Sequence, residues 1–176
     1  VYKKLKGVRM KGEFTLKGHK EKGELLFTDY GISGIAVMVL SRYACPGDKI
    51  ICDFYPEFTD QELHSIIRTL KTMNGPYDGL VHPKLVPIVE NQKNPVSFLK
   101  HLEFTVKALR GEEFAQADCG GLMISNFNKS FEFINYPHLY ATGEILDITG
   151  DCGGYNIHFA LASAYSVFEE VSKTIQ

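Results

Sequence analysis

Leu139-Tyr140-Ala141-Thr142-Gly143-Glu144, then Gly150-Asp151-Cys152-Gly153-Gly154-Tyr155-Asn156, then a run in which Ile157, Ala160, Leu161, Ala164, Phe168 and Val171 recur at helical spacing, reads as a short buried strand, a glycine-rich loop and a long amphipathic helix. Glycines in a strand-to-helix turn let the backbone come close to a ligand, and free amides at a helix N-terminus favour an anion or an electron-rich oxygen. Glu144, Asp147 and Asp151 stand just upstream as acceptors for hydroxyl groups. Together these features suit a cofactor that carries sugar-like hydroxyls and an electronegative acceptor. Spacing alone equally admits a plain structural reading, in which the glycines serve close helix-on-sheet packing and the acids are solvated, because the loop lacks a G-x-G-x-x-G pattern.

Upstream of this unit the chain changes character. Lys6 to Leu16 alternates as a strand, Lys17-Gly18-His19-Lys20 is a polar turn, and Glu24 to Thr28 reads as a third short strand. Ile35 to Leu40 is apolar throughout and predicts a segment buried on all sides, either strand or helix, with Ser33 placed to cap a helix. Lys49 to Phe54 alternates again. Thr59 with Glu62 forms a capping-box signature ahead of Leu63, Ile66, Ile67 and Leu70, so Thr59 to Met73 is a helix, stopped by Asn74-Gly75-Pro76. Pro83 to Glu90 predicts a shorter helix, Asn91 to Pro95 a polar break, and Leu102 to Leu109 a half-buried strand. The fold class is therefore α+β, with a division at residues 110 to 118.

Composition narrows the function. The 176 residues are 44% hydrophobic and 23% charged, as in ordinary globular chains, and the net charge of −2 supplies no field that would draw the chain to nucleic acid or an anionic membrane. A small-molecule substrate, with neither nucleic acid nor membrane as partner, is the expectation, and the lack of a long apolar run or signal-like leader points to the cytoplasm. The chain opens at Val1 without Met, with residues that alternate like the middle of a strand, so an upstream part is expected. Cys45, Cys52, Cys119 and Cys152 form no C-x-x-C pair and read as buried or partly buried free thiols. The six histidines show no ligand spacing, so no metal site is expected. His158 is the one histidine beside the glycine loop, and the ordinary reading for it is exposure or packing. Gly31-Ile32-Ser33-Gly34-Ile35 has Ile where a nucleophile elbow needs Gly.

Two stretches are more specific. Gly23-Glu24-Leu25-Leu26-Phe27-Thr28-Asp29-Tyr30-Gly31-Ile32-Ser33-Gly34, running on to Leu40-Ser41-Arg42, and Gly143-Glu144-Ile145-Leu146-Asp147-Ile148-Thr149-Gly150-Asp151-Cys152-Gly153-Gly154-Tyr155-Asn156 closely resemble signatures of the aminoacetone-oxidase-like flavoproteins, the YhiN and BaiN group. Ala115-Gln116 and Gly120-Gly121-Leu122 lie between them and match a third element of that family.

The resemblance implies a β-barrel-like inserted domain with a helical part over residues 1–113. It is followed over 114–176 by the C-terminal strand–loop–helix segment of a Rossmann-like FAD domain. It also implies FAD as cofactor, with Gly120, Gly121, Gly143, Glu144, Asp147, Gly153, Gly154, Tyr155, Asn156 and Ile157 as its neighbours in this chain. Glu144 would bond the ribityl chain, and the backbone from Gly153 to Ile157 would approach the flavin N1 and O2 edge. The partner implied is the N-terminal FAD-binding half of the same protein, which carries the nucleotide fingerprint absent here. The expected function is part of an FAD-dependent oxidoreductase that passes hydride between a small organic substrate and flavin, with NAD(P)H admitted as reductant. The fragment alone is expected to be inactive and not to hold FAD stably. No catalytic acid or base is singled out. The competing reading is a non-catalytic binding or interaction module.

Overall fold

The computed structural model describes residues 2–73, 75 and 77–174. The chain divides into two units, Val1–Leu109 and Arg110–Gln176. Asn74 and Pro76, read above as part of a helix stop, lie outside the described residues.

The first unit is built on one antiparallel sheet of five strands: β1 (Arg9–Leu16), β2 (His19–Phe27), β3 (Ile32–Ser33), β4 (Lys49–Asp53) and β5 (Leu102–Thr105), in the order β3-β2-β1-β4-β5. The sheet curls into half a barrel around an apolar interior. The β1–β2 hairpin closes with Leu16 opposite His19 over the two residues Lys17 (φ 49°) and Gly18 (φ 85°). Positive φ at both central positions matches the right-handed twist of the strands, which explains so tight a turn. His19 to Phe27 is one continuous strand, so the separate short strand expected from Glu24 merges into it. At Tyr2–Leu5, where alternation pointed to a strand, the chain forms a 3-10 turn that buries Leu5 instead.

Met10, Phe14 and Leu16 of β1, Leu25 and Phe27 of β2, and Ile50 and Cys52 of β4 line the inner face, and helices cover them. Gly12 and Gly23 face each other across the hairpin, and each has a packing reason. A Cβ on Gly12 would run into the Asp53 carbonyl, and one on Gly23 would press on the Cβ of Ala36 at 3.2 Å. Ala36 belongs to α1 (Ile35–Ser41), which settles the apolar run as a helix. Its N-cap is Gly34 rather than Ser33, which is spent in β3, and Ile35 is exposed while Ala36, Val37, Val39 and Leu40 are buried.

The remaining helices of this unit are α2 (Asp60–Met73), α3 (Val86–Glu90) and α4 (Pro95–Lys100). The capping box before α2 is formed. The Thr59 amide donates to Glu62 Oε2 at 2.8 Å, and the Glu62 amide donates back to Thr59 Oγ1 at 3.3 Å. The Thr59 amide, and after it the Thr59 hydroxyl, which also donates to Oε2, hold the Glu62 carboxyl below its usual range. Its stabilising contribution is therefore in full force at neutral pH and is lost as pH falls through that lowered value. Thr59→Ala is expected to cost roughly 1 kcal/mol, read as a lower urea midpoint at unchanged slope. The polar break expected at Asn91 to Pro95 separates α3 from α4, and its end starts the second helix. Asn94 Oδ1 accepts from the Ser97 amide at 3.0 Å, and Pro95 occupies the first turn, where its missing N–H is harmless.

Beneath α4 lies the one buried lysine among the described residues. Lys100, 5% exposed, sends its ammonium to both oxygens of Asp53 at 3.1 and 2.9 Å and to the Tyr55 carbonyl at 2.6 Å. The Tyr55 amide closes the ring on Asp53 Oδ1 at 2.9 Å. The cluster pins the end of β4 to the helical part.

The second unit holds one long helix, α5 (Tyr155–Thr174), and three 3-10 turns, at Glu112–Phe114, Ile124–Asn126 and Gly143–Ile145. The short strand expected over Leu139 to Glu144 is not formed. Its backbone is tied on one side only, by Phe133 N–H to the Leu139 carbonyl at 2.7 Å and Ala141 N–H to that of Phe131 at 3.1 Å. Gly143, at φ 73°, then turns the chain out of the extended region.

The face of α5 expected to be buried is only partly covered. Ile157, Leu161 and Phe168 are 72%, 68% and 65% exposed, while Ala160 and Val171 of the expected face are half-buried, beside Phe159, Ser163 and Val167. Both faces of α5 carry apolar residues, so periodicity alone does not say which of them this unit covers. Among the cysteines, Cys45 and Cys119 are exposed, contrary to the expectation, whereas Cys52 is buried and its thiol is pushed up to about 12 by that burial. Among the described residues no helix is long and apolar enough to cross a membrane, and no three of His, Cys, Asp and Glu gather as a metal set.

Candidate functional site

The site develops from three loops of the second unit that meet the start of α5. The first is Asp118 to Leu122. Gly120 and Gly121 sit at φ 104° and 130°, a region L side chains rarely adopt, and a Cβ on Gly121 would lie 2.5 Å from the Ile145 carbonyl oxygen. This close passage lets Leu122 run parallel to the second loop. The Leu122 amide donates to the Ile145 carbonyl at 2.8 Å, and the Asp147 amide donates to the Leu122 carbonyl at 2.9 Å. The Glu144 carboxylate accepts from the Asp118 amide at 3.3 Å, and Thr149 Oγ1 donates to the Asp118 carbonyl at 3.3 Å. Asp118 and Thr149 are thus site residues that sequence reading passed over. Neither belongs to a recognisable spacing, and only the fold brings their loops together.

The second loop is locked onto α5 through Gly143. Its amide donates to Ser163 Oγ at 3.0 Å, and the serine hydroxyl in turn donates to the Ala160 carbonyl at 3.1 Å. A Cβ on Gly143 would sit 3.3 Å from that of Ala160, so the glycine lets loop and helix touch. Ser163 is 1% exposed and was also missed. Its signal was a small polar residue in the middle of an apolar helix.

The third loop, Gly150 to Gly154, leads into the helix. Gly153 and Gly154 have φ of 134° and 93°, and the space beside the α-carbon of Gly154 is open. The first intrahelical bond runs from the His158 amide to the Gly154 carbonyl at 2.9 Å. The amides of Tyr155, Asn156 and Ile157 therefore precede the intrahelical ladder, and glycine at the cap has no side chain with which to occupy them. The Asn156 side chain is turned back, with Oδ1 accepting from the Gly150 amide at 2.7 Å. The side chains of Tyr155, Ile157 and His158 are exposed, as are Glu144 and Asp147.

The ten residues expected around a cofactor are thereby placed. Gly120, Gly121, Gly143, Glu144 and Asp147 share one laddered pair of loops, and Gly153, Gly154, Tyr155, Asn156 and Ile157 form the opening of α5. Gly143–Ser163 and Gly150–Asn156 connect the two groups. Chemically the assembly offers donors along one edge, the helix amides with the positive end of a 20-residue dipole, and carboxylate acceptors at the other. It is an open surface rather than an enclosed cleft.

Comparison with known proteins places the chain in a family. Residues 1–94 match the family model described as "HI0933-like protein barrel and H2TH domain". A ribosomal RNA dihydrouridine synthase of Haemophilus influenzae is 31% identical over 90% of this chain and 44% of its own length. A 3-dehydro-bile acid delta(4,6)-reductase of Clostridium scindens is 28% identical over 83% of the chain and 43% of its own length. A second ribosomal RNA dihydrouridine synthase, from Escherichia coli, is 25% identical over 84% and 42%. The chain spans less than half the length of these relatives. The matched region takes in β1 to β4 and α1 to α3, and the chain belongs to the HI0933-like family, the YhiN and BaiN group of flavoprotein oxidoreductases.

Proposed function

We propose that this chain is part of an FAD-dependent oxidoreductase, in which residues 114–176 are the closing segment of a Rossmann-like FAD domain and residues 1–113 are a domain inserted into it. The observation that carries this reading is the start of α5 behind Gly153 and Gly154, tied to the Glu144 loop through the Gly143–Ser163 bond. The donor set fits a flavin. Three consecutive helix amides complement the electron-rich N1 and O2 edge, Glu144 accepts from ribityl hydroxyls, and Gly121 keeps its strand close where any side chain would collide. When bound, FAD supplies the two-electron chemistry, and this chain binds and orients it.

The second unit also exposes Ile157, Leu161 and Phe168 along one helix face and buries only Phe127 and Leu146 as large apolar side chains among its described residues. So small a core supports the reading that the N-terminal FAD-binding half of the same protein covers that face. For the same reason this chain by itself is expected not to hold FAD stably and to be inactive.

The names of the relatives share one reaction, saturation of a carbon–carbon double bond in an oxygenated ring. We infer the same class here, with hydride delivered to one carbon of the bond, a proton to the other, and NAD(P)H as the reductant. The substrate is taken to be a small molecule of the cytoplasm. In support, Arg9, Lys17 and Lys20 of the basic N-terminal hairpin are already paired with Glu24, Asp48 and Glu13, which reduces their pull on a polyanion. A second reading, uridine in ribosomal RNA as the substrate, is favoured by the H. influenzae relative.

The test is to purify the complete protein containing this chain. The expected preparation is yellow and releases one FAD per polypeptide on denaturation, while FAD titrated into the present chain alone gives no tight, stoichiometric binding. A folded, colourless complete protein that takes up no FAD would count against the proposal. Reoxidation of the reduced enzyme by unsaturated ring ketones, set against dihydrouridine content of ribosomal RNA from a deletion strain, separates the two substrate readings.

A further inference from the structure

We propose that the Asn156 side chain is a positioning residue for the flavin, acting through Gly150 rather than by touching the cofactor. The inference rests on the FAD reading above. Asn156 occupies the first turn of α5, where an amide side chain would ordinarily point to solvent or to a ligand. Instead its Oδ1 takes the Gly150 amide at 2.7 Å, one of the shortest backbone-to-side-chain bonds of the second unit, and the residue is half-buried.

Gly150 is shaped for this contact. A Cβ there would lie 2.8 Å from the Tyr155 Cβ and 3.1 Å from Asn156 Oδ1, so glycine alone admits the approach. The bond closes a ring of seven residues, Gly150 to Asn156, and inside it Gly153 and Gly154 both sit at positive φ. Two adjacent glycines of that kind make a loop with many alternative conformations, and ordering it costs conformational entropy. Closure by Asn156 removes that freedom before any ligand arrives.

The direction of the bond matters. Had Asn156 pointed outward, its carbonyl oxygen would present negative charge to a flavin edge that becomes more electron-rich on reduction. Turned inward, it satisfies Gly150 and adds no acceptor beside the amides of Tyr155, Asn156 and Ile157 in the first turn. The clamp therefore both fixes the loop and keeps the site a donor site, which stabilises the reduced cofactor more than the oxidised one.

The experiment compares the complete flavoprotein with Asn156→Ala and Asn156→Asp, the latter keeping an acceptor at the same place. Amide hydrogen exchange over residues 150–157, measured with and without FAD, reads the clamp directly. The flavin potential and FAD dissociation constant read its consequence. In Asn156→Ala, exchange of the Gly150 amide is expected to rise at least tenfold and FAD affinity to fall about tenfold for the oxidised form. A further tenfold loss is expected for the reduced form, which lowers the two-electron potential by about 30 mV. Asn156→Asp restores slow exchange at Gly150, which a general folding defect would not do. A wild-type protein that carries no flavin overturns both this inference and the FAD reading. A flavin-loaded wild type with Asn156→Ala unchanged in exchange and potential overturns the clamp alone.

Discussion

Replacing Lys100 by alanine is expected to destabilise the first unit by roughly 3–5 kcal/mol, the cost of leaving a carboxylate and a carbonyl without their shared cation in a partly dry place. The ammonium meets three oxygens, two on Asp53 and one on Tyr55. Its side chain is nearly inaccessible while that of Asp53 is about one-quarter exposed. Urea denaturation followed by fluorescence should show the loss as a lower midpoint at unchanged slope. The double variant Lys100→Met with Asp53→Asn separates charge from shape. It keeps an acceptor for the Tyr55 amide and removes both charges, so most of the loss should be recovered. A double variant as unstable as Lys100→Ala would show that the lysine matters for packing rather than for pairing.

The second large effect is expected at Gly121. Alanine there must tolerate φ 130° and also place a Cβ 2.5 Å from the Ile145 carbonyl, a backbone atom that cannot step aside without breaking the Leu122 ladder. Strain from the dihedral alone is about 1–3 kcal/mol. The collision adds to it. Gly120→Ala is the control, because φ is 104° but nothing lies within 4 Å of the added atom. Exchange of the Leu122 and Asp147 amides, which make the ladder, should accelerate in Gly121→Ala far more than in Gly120→Ala. A loss of about 2 kcal/mol corresponds to some thirtyfold. FAD retention by the complete protein should fall in the same order. Equal effects of the two substitutions would contradict the close-passage argument for Gly121.

Legibility from sequence followed the range of the interaction responsible. The α2 capping box was readable because all its atoms lie within four residues, Thr59 to Glu62. The hairpin was readable because Lys17-Gly18 and the flanking alternation are local. The break at Asn91 to Pro95 was readable too, but not the start of α4 at its end: Asn94-Pro95 serves equally as break or as cap and first turn, and the Ser97 contact decides which. The apolar run at Ile35 was undecidable alone, since strand and buried helix share the same residues. The fit of Ala36 against Gly23 decided it.

In the candidate site the glycines and Glu144 were legible through the family resemblance. The bonds that assemble them were not. Asp118, Thr149 and Ser163 contribute an amide, a carbonyl partner and a buried hydroxyl, functions that any of many residues supplies, so nothing in their identity marks them.

By itself the amino-acid sequence determined the α+β class, the helix at Asp60–Met73, the glycine-rich opening of the last helix and membership of the YhiN and BaiN group. Each rests on short-range pattern or on a string of residues kept together along the chain. Only the tertiary structure decided which face of α5 packs inward. Ile157, Leu161 and Phe168 are as apolar as the residues that are buried, and the choice fell to Ser163 and Ala160, because a small residue lets Gly143 reach the helix and a hydroxyl satisfies its amide. The helix face chosen was the one that met a backbone needing a partner, and hydrophobicity along the sequence does not record where such a backbone will lie.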